Sequence, residues 1–226
     1  MNARRGRSAE GRAEVRRELV AAAVGLFRSR GYDDTTVDDI AGAAGVGRRT
    51  FFRYFPSKEH AVSPDHEAAL RRIAEIFEAA HPAEPVAPLV LRAGETAFDL
   101  YAEDPALSVE RFRLTHEVPA LRDRESASVD HYRRLFTRHL RRRFAAEPDG
   151  ELRAAVTGAA VVAAHNLALR TWLADGAPAD GLEAAKDRFR TVGYMLPGEP
   201  AERDGLHAVT RRLERAVGRL ERADAP

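Results

Sequence analysis

The chain has 226 residues, 44% of them hydrophobic and 31% charged, the composition of a globular protein long enough for one well-filled domain or two smaller ones. It contains no cysteine, which excludes a disulfide framework, a thiolate nucleophile and a cysteine metal site. The formal net charge of +1 conceals an asymmetry, since residues 1–60 carry 12 Lys and Arg against 8 Asp and Glu while the remainder carries 24 against 27. An excess of four charges is too small for a broad positive field, so an anionic partner of that end must be held by placed contacts.

Residues 1–10 are polar, with Arg4, Arg5 and Arg7, and read as a solvated arm, with a minor-groove contact as the rarer reading. No run approaches the ~18 apolar residues that a membrane span needs, and residues 1–17 lack the apolar core of a signal peptide, so a cytoplasmic protein with no membrane partner is expected. A first helix is predicted over residues 12–30. Val15, Leu19, Ala22, Ala23, Leu26 and Phe27 form its apolar stripe and Gly31 ends it.

The next stretch, TTVDDIAGAAGVGRRTFFRYFPSK, reads as two short helices joined by a turn. Val37, Ile40, Ala41 and Ala44 share one face, Thr36 stands at the N-cap, and Asp38 and Asp39 fall in the first turn, where the helix dipole favours negative charge. Gly45 takes positive φ in the turn and Val46 plugs the angle between the helices. The second helix sends Phe51 inward and leaves Arg48, Arg49, Thr50, Phe52 and Arg53 outward. That outward set fits duplex DNA. Arginine reaches guanine O6 and N7 with two hydrogen bonds, threonine meets a phosphate or a thymine methyl, and an exposed phenylalanine packs on sugar or methyl groups. Tyr54 and Lys58 suit phosphates. An αα-hairpin with a merely solvated arginine face is the plain alternative.

From about Val15 to Val62, about a fifth of the chain, the sequence resembles the N-terminal domain of TetR-family transcriptional repressors, through the capping threonine pair, the AGAAGV turn, the FFRYF run and the lysine. The resemblance implies an all-α fold of about nine helices, a homodimer on a palindromic double-stranded operator, and a pocket for a small-molecule effector in a divergent C-terminal half. It implies phosphate contacts at Thr36, Tyr54 and Lys58 and major-groove positions at Arg48, Arg49, Thr50 and Phe52. Gly47 departs from the commoner polar residue at the start of the second helix.

Pro56-Ser57 opens a fourth helix, which Ser63-Pro64-Asp65 interrupts. Serine at N-cap followed by proline at N1 is a good helix start, so a kink or break is expected there with Ser63 as the new cap. The helix resumes through Leu70, Ile73, Ile76 and Phe77, and residues 81–88, with three prolines, read as a loop. Further helices are predicted over residues 89–103, 105–116, 120–144, 149–174 and 181–195, with a tail helix over residues 201–222 and no strand pattern anywhere.

The segment AAVTGAAVVAAHNLAL is apolar nearly all the way round, so it needs partners on every side. Ala155, Gly158, Ala159 and Ala163 let another helix come close. Ala155, Ala159, Val162 and Ala163 are the candidates for the two-fold interface that the family resemblance implies; a central helix of a monomeric bundle is the alternative. His165 and Asn166 lie inside that helix and need hydrogen-bond partners. With Trp172 and the aromatics Phe98, Tyr101, Phe112, Tyr132 and Phe136 they are the candidate effector pocket, although each alone fits a core role. The Arg138, Arg141, Arg142 and Arg143 cluster reads as surface charge favoured by a helix C-terminus, with an anion subsite as the rarer reading.

No HExxH, GxSxG, GxxxxGK[ST] or GxGxxG motif supports an enzyme, and no cofactor is expected. The expected organisation is an all-α chain with a DNA-binding domain at residues 1–57 and a ligand-binding and dimerisation bundle at residues 58–226. A helical dimeric adaptor or small-molecule-binding protein without sequence-specific DNA binding is the rival.

Overall fold

The computed structural model describes residues 9–196. They form ten α-helices: α1 (Ala9–Arg30), α2 (Val37–Ala43), α3 (Arg48–Tyr54), α4 (Lys58–Val62), α5 (His66–Ala79), α6 (Val86–Ala102), α7 (Pro105–Glu117), α8 (Pro119–Arg143), α9 (Gly150–Ala174) and α10 (Gly181–Arg190). A 3-10 turn follows at Thr191–Tyr194, and the described residues contain no strand. The all-α expectation holds. The N-terminal arm and the tail helix lie outside the described residues, apart from Ala9 and Glu10.

Apolar side chains gather into two cores. The first joins Val15, Leu19, Ala23 and Phe27 of α1 with Ile40, Ala41, Phe51 and Phe55 around the helix-turn-helix, and with Ala61 and Val62 of α4. Leu114 of α7 and Leu121 of α8 complete it, so the N-terminal body is docked on the C-terminal bundle by buried carbon. Ion pairs from α1 add to the docking, Arg28 to Glu110 at 3.0 Å and Arg16 to Asp65 at 3.6 Å. The second core is built on α5, α6, α8, α9 and α10, around Ile73, Leu89, Val90, Phe98, Phe136, Leu140, Val161 and Phe189. Gly158 lets α9 lie close to α8: a Cβ there would stand 2.8 Å from Thr137 Oγ1.

The chain breaks between α4 and α5, as the Ser-Pro-Asp triplet predicts. Ser63 is extended (φ −72°, ψ 142°), and the new helix is capped by Asp65, whose side chain accepts from the Ala68 amide at 3.0 Å. This corrects the expected cap. Ser63 instead donates back to the Glu59 carbonyl and receives Arg124 Nε at 2.9 Å. The proline-rich loop is shorter than expected, because α6 already begins at Val86 and takes Pro88 into its first turn. Amides of a first turn have no helical partner, so proline costs no hydrogen bond there.

α9 is long and apolar enough, by length and composition, to cross a membrane, which corrects the sequence expectation that no run comes near that criterion. Half of that window is buried within the protein, as for the central helix of a bundle. Its burial alternates by face. Ala154, Gly158, Val161, Val162, His165, Leu169 and Trp172 are buried, while Leu152, Val156, Ala159, Ala163 and Leu167 form an uncovered stripe at helical spacing.

Candidate nucleic-acid interface and effector cavity

The helix-turn-helix is set by local chemistry. Thr36 and Asp39 form a capping box: the Thr36 hydroxyl accepts from the Asp39 amide at 3.1 Å, and the Asp39 carboxylate accepts from the Thr36 amide at 2.9 Å. The hydrogen bonds from Thr36 hold the Asp39 carboxyl below the usual carboxylate range. Such a box satisfies two of the amides that a helix start leaves unpaired. Gly45 turns the chain at φ +66°, and the Val46 amide donates back to the Ala41 carbonyl at 2.9 Å. α3 then starts at Arg48 without a side-chain cap, since Gly47 offers none.

Phe51 is fully buried and packs against Phe55, its ring 5.7 Å away, which fixes the roll of α3. Arg48, Arg49, Phe52 and Arg53 therefore face solvent, Thr50 is half-buried, and Phe52 is 45% exposed. The Phe52 ring meets buried Phe51 edge-on, centres 5.5 Å apart, and leaves its other side open between the arginines. Arg48 lies 2.8 Å from Asp38 on α2, and its guanidinium stacks on the Phe52 ring at 5.2 Å. Arg49 has no ion pair or hydrogen bond among the described residues.

Two positions are placed differently from the phosphate contacts that the resemblance implies. The Tyr54 hydroxyl is buried, with no partner among the described residues. Lys58 turns back toward the body, donating to the carbonyls of Tyr32 at 2.7 Å and Thr35 at 3.0 Å and sitting 4.0 Å from the centre of the Tyr32 ring. The Tyr32 hydroxyl in turn donates to Glu59, while burial and that carboxylate raise its own pKa. The start of α4 is thereby tied to the loop before α2.

Within the bundle, a cavity of about 280 Å³ lies among α7, α8 and α9 and opens on the break between α4 and α5. Tyr101, Arg111, Phe112, Glu125, Asn166 and Arg170 line it, with Val62, Ser63 and Pro64 at the joint. A narrow slot of about 20 Å³ adjoins it through Tyr101, Glu125, Val129 and Asn166, and runs past Tyr132 and Phe136 to His165. Five of the eight predicted pocket residues line that slot, and Phe112 lines the wider cavity. Phe98 and Trp172 do neither. Phe98 packs on His165, with ring centres 4.3 Å apart, and Trp172 Nε1 donates to the Pro178 carbonyl at 2.9 Å.

Glu125 is the hub of this region. Its carboxylate meets His66 Nε2 at 3.2 Å and accepts from the Tyr101 hydroxyl at 3.5 Å, while His66 Nδ1 lies 3.1 Å from the Tyr132 hydroxyl. Burial pushes the acid up, but the hydrogen bond and charge of His66, with Arg170 behind them, hold it below the usual range. At His165 burial wins: it pulls the pKa down to about 4 against the smaller upward pulls of an Asn166 hydrogen bond and the Glu125 charge, and Nε2 has no partner among the described residues. Sequence reasoning missed Glu125 and Arg111. Glu125 falls in the inward series Leu121, Glu125, Ser128, Tyr132, Phe136, and a carboxylate at an inward position is a signal that periodicity offers.

Of the interface candidates, Ala159 and Ala163 are on the uncovered stripe of α9 and Ala155 is half-buried, whereas Val162 is buried in the protein's own core. Leu152 at 64%, Val156 at 50% and Leu167 at 60% exposure are the large members of the stripe.

The model for bacterial regulatory proteins of the tetR family matches residues 19–60, and that for the MftR C-terminal domain matches residues 84–197, half of the chain. The regulator TcmR of Streptomyces glaucescens is 36% identical over 118 residues, covering 47% of this chain and 50% of that protein. MftR of Mycobacterium tuberculosis is 30% identical over 122 residues, covering 54% and 61%. The matched stretch thus spans little more than half the length of these relatives. Among solved structures, FadR of Bacillus subtilis, in complex with stearoyl-CoA, superposes with a TM-score of 0.52 at 18% identity, covering 78% of this chain and 96% of that one. The fatty acid degradation regulator FadR of Bacillus halodurans gives 0.51 at 20%, covering 82% and 97%. At these identities the superpositions speak for the fold alone. With the helix-turn-helix under one model and the helical bundle under the other, the chain belongs to the TetR family of bacterial regulatory proteins.

Proposed function

We propose that the protein is a cytoplasmic, homodimeric DNA-binding regulator, a repressor, that holds a palindromic operator and releases it when a small molecule fills the C-terminal cavity. Residues 1–57 are the reading domain, residues 58–226 the effector and dimer domain, and α4 the element that couples them. The observation that carries this reading is the outer face of α3, where Arg48, Arg49, Phe52 and Arg53 stand free of the core on a helix pinned by Phe51. A dimeric adaptor would have no use for that face.

Arg49 is the better candidate for a bidentate base contact, being unengaged, whereas Arg48 must leave Asp38 first. Thr36, Thr50 and Arg53 flank the backbone, whereas Tyr54 reaches a phosphate only by uncovering its buried hydroxyl and Lys58 only by giving up the Tyr32 and Thr35 carbonyls. The α9 stripe is the two-fold surface that sets the distance between two copies of α3. Release then follows from linkage. An effector that binds the swung-apart state about 10⁴-fold more tightly, about 5.5 kcal/mol, moves the population from 1:99 to 99:1.

Selection of bound duplexes from a random pool tests the reading. A repeated, two-fold symmetric motif with half-sites about one helical turn apart, ~34 Å, is the expected result. A pool without enrichment would favour the adaptor.

A further inference from the structure

The cavity beside the α4–α5 break carries an unbalanced charge. Three guanidinium groups line it, Arg111, Arg122 and Arg170, against one carboxylate, Glu125. That carboxylate is already engaged by His66 and Tyr101. Arg122 donates to the His116 carbonyl. Arg170 makes no hydrogen bond or ion pair among the described residues, but it is exposed, whereas Arg111 is half-buried. Arg111 makes none either, and its Nε is buried without a partner. Burial, together with the nearby charge of Arg16, pulls its pKa down to about 10. The carboxylates of Asp104 and Glu125 pull the other way from beyond ion-pair distance, and a guanidinium with a buried, unpartnered nitrogen is costly, so a native chain retains one where something else completes the pair. Leu121, Val129, Leu169 and Leu173 supply an apolar part of the wall, beside the polar Ser108, Thr115, His116, Ser126 and Asn166.

We propose that the cavity takes a compact organic anion whose carboxylate pairs with Arg111 and whose apolar body lies against Leu121, Val129, Leu169 and Leu173. The proposal rests on the reading of this cavity as the effector site and names the effector's chemical class. A planar guanidinium presents two parallel donors at the spacing of carboxylate oxygens. A neutral ligand would leave Arg111 as it stands, and a cation would add to a local excess of positive charge. The volume, about 280 Å³, is at the small end of ligand sites, which suits a single ring or short chain bearing one acid group. Because Val62, Ser63 and Pro64 form part of the wall, the occupant lies against the joint that separates α4 from α5.

Isothermal titration calorimetry of the full-length protein with three probes of one shape, 4-phenylbutyrate, 4-phenyl-1-butanol and 4-phenylbutylamine, tests the proposal. The carboxylate is expected to bind about tenfold or more tightly than the alcohol, and the amine least tightly. Arg111→Met keeps an apolar stem while removing the charge, so it should abolish the preference for the carboxylate and leave the affinity for the alcohol unchanged. Arg138→Met, in the open groove between α5 and α8, should leave the order intact. Equal affinities, an amine that binds best, no binding by any probe, or an Arg111→Met effect common to all three would each overturn the proposal. Operator binding with 4-phenylbutyrate present separates the two claims. An Arg111-dependent carboxylate preference without any change in operator affinity would leave the anion site standing and remove the effector reading. Operator release that ignores Arg111 would do the reverse.

Discussion

Leu167→Arg should split the dimer while leaving each protomer folded. Leu167 is 60% exposed on the α9 stripe, in line with Val156 and Leu152, so the mutation removes no contact of the protomer's own core that the remaining 40% does not already describe. Fully burying a leucine is worth about 1.5–3 kcal/mol, so covering its exposed share contributes about 1–2 kcal/mol. A two-fold interface counts each position twice, giving about 2–4 kcal/mol per dimer, or a dissociation constant raised about 30- to 800-fold. Arginine adds the cost of desolvating two like charges across the axis, so the figure is a lower bound. Sedimentation equilibrium over a concentration series measures the constant, and far-ultraviolet circular dichroism checks the fold. Val162→Ala is the contrast: Val162 points into the core, so its truncation should lower the melting temperature and leave the dimer constant alone. A Leu167→Arg protein that dimerises as tightly as the parent would refute the assignment of this face.

Arg49→Ala should cost about 1–3 kcal/mol at one operator position and relax base preference there, measured by competition with single-base operator variants. Replacing His165 by leucine should flatten the acid side of the stability profile. The folded-state pKa, about 4, lies below the ordinary value of 6.5, so the unfolded chain gains a proton that the fold refuses, and stability is lost as pH falls from 6.5 to 4. That loss approaches about 3 kcal/mol in the parent, read from urea midpoints at pH 7 and pH 4.5, and is absent in the variant. Pro64→Ala should change the effector concentration that releases operator with little effect on operator affinity in its absence, because the break at Ser63–Asp65 makes α4 and α5 a jointed lever. Identical release curves for the two proteins would remove the joint from the mechanism.

The helix-turn-helix was legible because its signals are local: a capping threonine, a glycine at positive φ, and aromatic residues at inward spacing. The break at Ser63–Pro64 was legible for the same reason, yet the cap fell to Asp65, since the extended Ser63 backbone and Arg124, distant in sequence, hold the serine elsewhere. α9 was recognisable as central, but a helix that is apolar all round gives periodicity no phase, so Val162 was placed outward and Val156 and Leu167 were overlooked. The cavity needed tertiary information. Arg111 and Glu125 come together from different helices, and only their neighbours show that one is unpaired and the other engaged. Phe98 and Trp172 read the same as pocket aromatics in sequence, and packing alone assigns them to the core.

The ratio of affinities for a selected palindromic duplex and a scrambled duplex of equal length, measured across a range of salt concentrations, tests the central claim most directly. A helix that reads bases predicts a ratio of about 10³ or more that persists as both affinities fall with salt. A ratio near one at every salt concentration would mean that the arginines of α3 meet only phosphate, and that this chain does not recognise an operator.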